Sequence, residues 1–219
     1  MFIGHYAVGL ASKRVAPKAS LGILIAAPQV LDMLWPIFLL LGWEHVQIHP
    51  GDTKFTPFEF VSYPYSHSLV MSILWGVILA AVYWMRKRDG RASVVILLSV
   101  VSHWVLDFVT HRPDMPIAPW SDVKVGLGLW NSVAATIIIE GLLFTAGVWI
   151  YWKFTQSLDR IGSVGFWAFV IFLVVSYVAS ILGPPPPNTT AVAWGSLSIW
   201  IFPFWAGWFD RHRKVRETN

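Results

Sequence analysis

The side chains in this sequence best suited to chemistry lie where ionisable groups are least expected. His103, Asp107 and His111 recur at i, i+4 steps through the apolar stretch 92–111, so a helix sets them along one face. An aspartate near the bilayer centre costs about 2.5–3.5 kcal/mol on insertion scales, and such groups persist where they pair, ligate or line a cavity. His103 and His111 stand about 12 Å apart on a helix, too far for one ion with ligand bonds of about 2 Å. Asp107 lies between them, where a carboxylate can bridge two cations, one held with His103 and one nearer His111, as in binuclear hydrolases. Asp107 is therefore a candidate catalytic residue as well as a ligand.

Other stretches supply further candidates. Asp32 lies between Pro28 and Pro36, prolines that open a helical backbone and let a side chain face a water-lined cavity. His67 starts the second long apolar stretch, within Tyr63-Pro64-Tyr65-Ser66-His67-Ser68. His5 sits in a segment too short to span but apolar enough to dip inward, and a re-entrant helix there carries it to Asp32. Glu140 is the remaining intramembrane acid, a candidate ligand or catalytic base. His45 and His49, beside Pro50 and Gly51, read as solvated loop histidines, and His212 as an exposed residue of the basic tail. With no cysteine, any metal is left to imidazole and carboxylate, a donor set open to zinc, manganese, iron or nickel.

The elements that must position these groups are membrane helices. Of 219 residues 56% are hydrophobic and 13% charged, which makes the bilayer the natural solvent. Six stretches reach the roughly 20 residues a span needs, near 19–43, 67–85, 92–111, 127–152, 163–183 and 190–209. Polar or helix-hostile breaks separate them, the tetraproline Pro184 to Pro187 among them. The expectation is an all-α polytopic bundle of about six spans with a short N-terminal re-entrant or interfacial helix. It forms one integral membrane domain over 1–219, with the motifs in 1–152 and additional spans in 163–209. Of the 16 Lys and Arg residues, 13 fall before the first span, in the second and fourth connections, and after the last span. The positive-inside rule then puts both termini in the cytoplasm and the connections 44–66 and 112–126 opposite. The net charge of +4 reads as orientation and lipid contact, with no nucleic-acid partner expected. No cleavable signal is expected, since Lys13, Arg14 and Lys18 follow the first apolar stretch. Trp43, Trp84, Trp152, Trp194 and Trp208 read as interfacial anchors, and Arg112 as a snorkelling interfacial arginine.

The order His5, Asp32, Ser66-His67-Ser68, His103-x-x-x-Asp107 resembles the inner-membrane metal-dependent hydrolases of the LexA-regulated YdjM type. That family is similar in turn to zinc-dependent phospholipase C and the related single-strand nucleases, all-helical enzymes that cleave phosphate esters with clustered zinc. The resemblance implies ligand roles for His5, Asp32, His67, His103 and Asp107, one to three divalent ions, zinc first among them, and a bacterial or archaeal inner membrane. The soluble enzymes use more ligands than this chain matches, with His111 and Glu140 the available substitutes. The expected function is hydrolysis of phosphate esters of a lipid or other membrane-delivered substrate by metal-activated water.

Two other functions compete. A metal-free lipid phosphatase is echoed faintly by Pro64-Tyr65-Ser66-His67, but the arginine it needs just before His103 is missing, the nearest being Arg91. A proton- or metal-coupled transporter uses the same buried Asp, Glu and His, although the two three-span halves show no matching motif. No His-Glu-x-x-His helix of a metalloprotease is present.

Overall fold

The computed structural model describes residues 1–216 and is mostly helical. Helix α1 (Ile3–Val15) is followed by α2 (Leu21–Leu40), a hairpin of β1 (His45–Ile48) and β2 (Phe58–Ser62), and the single turn α3 (Pro64–His67). Next come α4 (Leu69–Lys87), α5 (Gly90–Thr110), a second small hairpin of β3 (Met115–Pro116) and β4 (Lys124–Val125), and α6 (Val133–Phe154). After β5 (Thr155–Ser157), α7 (Arg160–Leu182) precedes α8 (Thr189–Ser196), α9 (Ile201–Asp210) and β6 (Arg213–Val215), which pairs with β5. The helix starts are written into the sequence as polar caps. Ser20, Ser68, Asp89, Ser132, Asp159 and Asn188 each accept a backbone N–H from the first turn that follows.

Among the described residues five helices, α2, α4, α5, α6 and α7, are long and apolar enough to cross a membrane. The expected sixth span, 190–209, is interrupted: α8 gives way to a 3₁₀ turn at Leu197–Trp200 before α9 begins. Pro203 explains part of this, since it has no N–H to return to the carbonyl four residues earlier. The bundle's outer surface is apolar. On α4 only Ser72 and Gly76 are buried, leaving Leu74, Val77 and Ile78 to face outward, as a lipid-facing helix requires. All five tryptophans expected at span ends are exposed.

The short helix α1 is packed inside the bundle and does not lie along its surface, with Tyr6 and Leu10 fully buried. It fits because α6 offers Gly147, where a Cβ would come 2.6 Å from the Ala7 carbonyl oxygen, a spacing no real side chain tolerates. Tyr6 and Leu10 share a core with Leu24, Phe169, Phe202 and Phe209. At one end of the bundle Asp210 accepts from Lys13 Nζ (2.7 Å), the Leu21 amide (2.9 Å) and the Tyr151 hydroxyl (2.8 Å), tying α1, α2, α6 and α9 together.

At the other end the connections expected to be plain loops form a cap. β1 and β2 pair antiparallel, Val46 opposite Phe60 and Ile48 opposite Phe58. Arg112, expected to snorkel, instead pairs with Asp52, with Glu59 at 3.6 Å and with Asp114 at 3.2 Å, joining the two hairpins. His45 and His49 are exposed as expected, His49 beside Glu59. His212 is not free in the tail: it is half-buried, with Nδ1 2.6 Å from Asp159.

Candidate metal centre

Five of the expected ligands meet although they come from four helices. His67 is carried by α3 and not by the long helix after it, because Ser68 turns to an extended conformation and caps α4. That break points His67 inward, where it is buried. His103 and Asp107 lie one turn apart on α5, His5 on α1 and Asp32 on α2. The donor atoms of His5, His103 and Asp107 lie within 4.8 Å of one another, as do those of Asp32, His67 and His103.

The hydrogen bonds around the cluster fix which nitrogens face inward. His103 Nδ1 donates to the Pro28 carbonyl at 2.6 Å, which leaves Nε2 as a lone pair. The Ser66 hydroxyl donates to Glu44 (2.7 Å), so it accepts from His67 Nδ1 (2.6 Å), leaving a second Nε2 lone pair. These two lone pairs face each other at 3.3 Å, so neither can donate to the other. Asp107 Oδ2 lies 3.0 Å from His103 Nε2, and Asp32 Oδ1 3.3 Å from His67 Nε2. A cation between these converging acceptors would offset their repulsion, and a set of three imidazoles and two carboxylates is of the kind that suits zinc or a neighbouring transition metal.

One imidazole nitrogen has one lone pair, so the two groups sharing His103 form one five-donor cluster and not two independent sites. Asp107 turns its two oxygens to different partners. Oδ2 faces His103, while Oδ1 lies 3.0 Å from His5 Nε2 and also meets the Met1 amino group. His5 and His103 stack with ring centroids 3.7 Å apart.

Two expected site residues lie outside the cluster. α5 ends at Thr110, and His111 is in extended conformation, so the i, i+4 stripe stops one step short. His111 Nδ1 pairs instead with Asp114 at 3.0 Å, beneath Phe60, Tyr63 and Trp130. Burial works against the Asp114 carboxylate, but bonds from His111, Tyr63 and Arg112 outweigh it and hold its pKa below the ordinary aspartate range. Glu140 is buried in α6, and its Oε2 accepts the amides of Phe2 (2.8 Å) and Gly4 (3.3 Å) at the start of α1. Its place is to satisfy the free N–H groups of that helix start, next to the cluster but not in either ligand group.

Glu44 was not singled out by the sequence. Its Oε1 accepts the amides of Tyr65 and Ser66 at 2.8 and 2.7 Å, fixing α3 and, through Ser66, the His67 ring. Burial pushes its carboxyl above the ordinary glutamate range, against the pull of the Ser66 and Tyr65 donors. Glu44→Gln should keep an oxygen on the two amides but turn an NH₂ toward Ser66. Ser66 must then donate to His67 Nδ1, moving the proton to Nε2 and blocking ligation. We expect metal affinity to fall about 10–100-fold, read by competition with a chromogenic chelator, with Glu44→Asp losing less. Equal affinity in Glu44→Gln and the parent would show that Glu44 does not set the His67 tautomer.

A cavity of about 980 Å³ opens on the cluster, lined at that end by Asp32, His67, Asp107 and His111. No curated protein and no solved structure matches the chain. Residues 58–184, which carry His67, His103 and Asp107, match the YdjM inner membrane protein family over more than half of the sequence, and the chain belongs to that family.

Proposed function

We propose that this protein is a membrane-bound metal-dependent hydrolase of phosphate esters. The observation that carries the reading is the pair of opposed His67 and His103 lone pairs, ringed by Asp32, Asp107 and His5. A divalent cation held there, zinc first among the choices, would acidify a water and offset the charge of the phosphoryl oxygens. The chain's own residues do the rest. Pro28 and the Glu44–Ser66 pair keep two imidazoles deprotonated toward the centre, and Asp107 holds Oδ2 beside His103 and Oδ1 beside His5, where it would be a ligand to the cation. Asp32, partly exposed to the cavity, is placed to take a proton from the incoming water. The water oxygen bonds to phosphorus, the bond from phosphorus to the ester oxygen breaks, and the water's proton ends on the released alcohol. The count of basic residues supports an orientation with the capped end and its two hairpins away from the cytoplasm.

Asp107→Asn tests the reading in detergent-purified protein with a soluble phosphomonoester and a phosphodiester probe. Metal and hydrolysis should disappear together, and a chelator should reproduce the loss in the parent protein. Hydrolysis that survives chelation would defeat the metal mechanism and favour a phosphohistidine route, whereas ion flux without hydrolysis would favour transport.

A further inference from the structure

The cavity continues well beyond the cluster and changes character as it goes. An apolar wall belongs to the two C-terminal segments, with Phe172 of α7 packed on Phe202 and Trp205 of α9 at 5.8 and 5.6 Å between ring centroids, and Ile181 also in the lining. Phe172 is 47% exposed and Ile201, another wall residue, 61% exposed, so this wall runs without a break onto the lipid-facing surface. Pro184, Pro185 and Pro186 also line the cavity, and without N–H groups they cannot carry α7 on toward α8 as continuous helix. Toward the cap, the loop between β1 and β2 brings Lys54 to the lining. Arg112 nearby is committed to three carboxylates, whereas Lys54 forms no ion pair among the described residues. One cavity thus has a cation and a metal-ligating cluster in its lining together with an apolar wall from α7 and the α9 region that continues to exposed residues.

We propose that this cavity takes a lipid phosphate, with its phosphate between Lys54 and the cluster and its hydrocarbon chain along the apolar wall of α7 and α9, entering sideways from the bilayer. The inference rests on the hydrolase reading for the fate of the phosphate, but not for binding. A purely aqueous substrate gives no reason for an apolar wall continuous with the lipid face. A diacylglycerol has the chains but nothing for Lys54 or a bound cation to attract. Volume agrees, since ligand cavities of about 300–1,000 Å³ hold molecules that bury most of their surface.

The experiment uses the full-length protein in nanodiscs with a phosphatidic acid bearing a diazirine on its acyl chain. After photolysis, labelled peptides should map to 172–181 and 199–205. Unlabelled phosphatidic acid should compete the label down about tenfold while diacylglycerol leaves it in place. Ala179→Trp and Ser176→Trp, which put an indole into the cavity, should each cut labelling severalfold. Lys54→Glu should weaken competition by phosphatidic acid alone. Label spread evenly over lipid-facing α4, or competed equally by both lipids, would overturn the proposal. Cavity label without any metal-dependent hydrolysis would sink the hydrolase reading and leave the lipid site standing. Metal-dependent hydrolysis of soluble probes without cavity label would do the reverse.

Discussion

Replacing His103 with alanine should strip the protein of its metal entirely, not by half. Both three-residue groups contain His103 and no other residue belongs to both, so its loss breaks each of them and removes the link at the middle of the cluster. Each broken group keeps two donors, short of the three protein ligands that a catalytic zinc site uses, and His67 approaches Asp107 only to 3.9 Å. We expect affinity to fall by more than about 100-fold, beyond the loss seen when an outer hydrogen-bond partner of a ligand is removed. Elemental analysis of metal-supplied, detergent-purified protein reads the result directly. His111→Ala provides the contrast, since His111 pairs with Asp114 and joins neither group, so its metal content should match the parent. Full occupancy in His103→Ala would refute the cluster, and metal loss in His111→Ala alone would move the centre toward the cap.

The largest loss of stability should come from a residue far from the metal centre. Asp210→Ala removes the carboxylate that Lys13, Leu21 and Tyr151 share, and leaves a buried ammonium with only the Ala19 carbonyl. Breaking a buried ion pair from one side costs about 3–5 kcal/mol because the partner charge stays uncompensated. The melting temperature in detergent should fall sharply. Adding Lys13→Met should recover much of the loss, since removing both charges is far less costly than removing one. An Asp210→Ala protein that melts with the parent would mean that Lys13 finds another partner, and an unimproved double variant would put the cost on Leu21 and Tyr151.

How much was legible in the sequence depended on whether a residue was out of place. Asp32, His103 and Asp107 stand out because an apolar helix has no ordinary use for them, and an i, i+4 spacing fixes a face whatever the tertiary fold. His111 carried the same spacing but lay one residue past the end of the helix, where the period no longer applies. Glu140 is as out of place in an apolar helix as Asp32 or Asp107, yet its neighbour is the amide-rich start of α1, a meeting that spans 138 residues of chain. Glu44 and Asp210 were invisible for the opposite reason. Acids at the edges of spans are unremarkable, and only the fold shows that these two are buried. Hydropathy measured the apolar content of 190–209 but not its continuity, so the break at Leu197–Trp200 went unseen. The apolar runs of α2, α4, α5, α6 and α7 were read where the helices lie, because composition alone carries that information.

The order of the ligands along the chain has a bearing on biosynthesis. A ribosome delivers His5 first, then Asp32, then His67, and only after α5 has emerged do His103 and Asp107 arrive. Until then α2 sits in or near the bilayer with an aspartate whose two imidazole neighbours are incomplete, and α1 lacks the α6 surface at Gly147 into which it packs. The five-donor cluster is therefore incomplete until α5 is in place. On the metal reading, capture belongs to the end of assembly, and a cell starved of the cation should accumulate inserted but loosely closed chains with α1 the part most open to proteases.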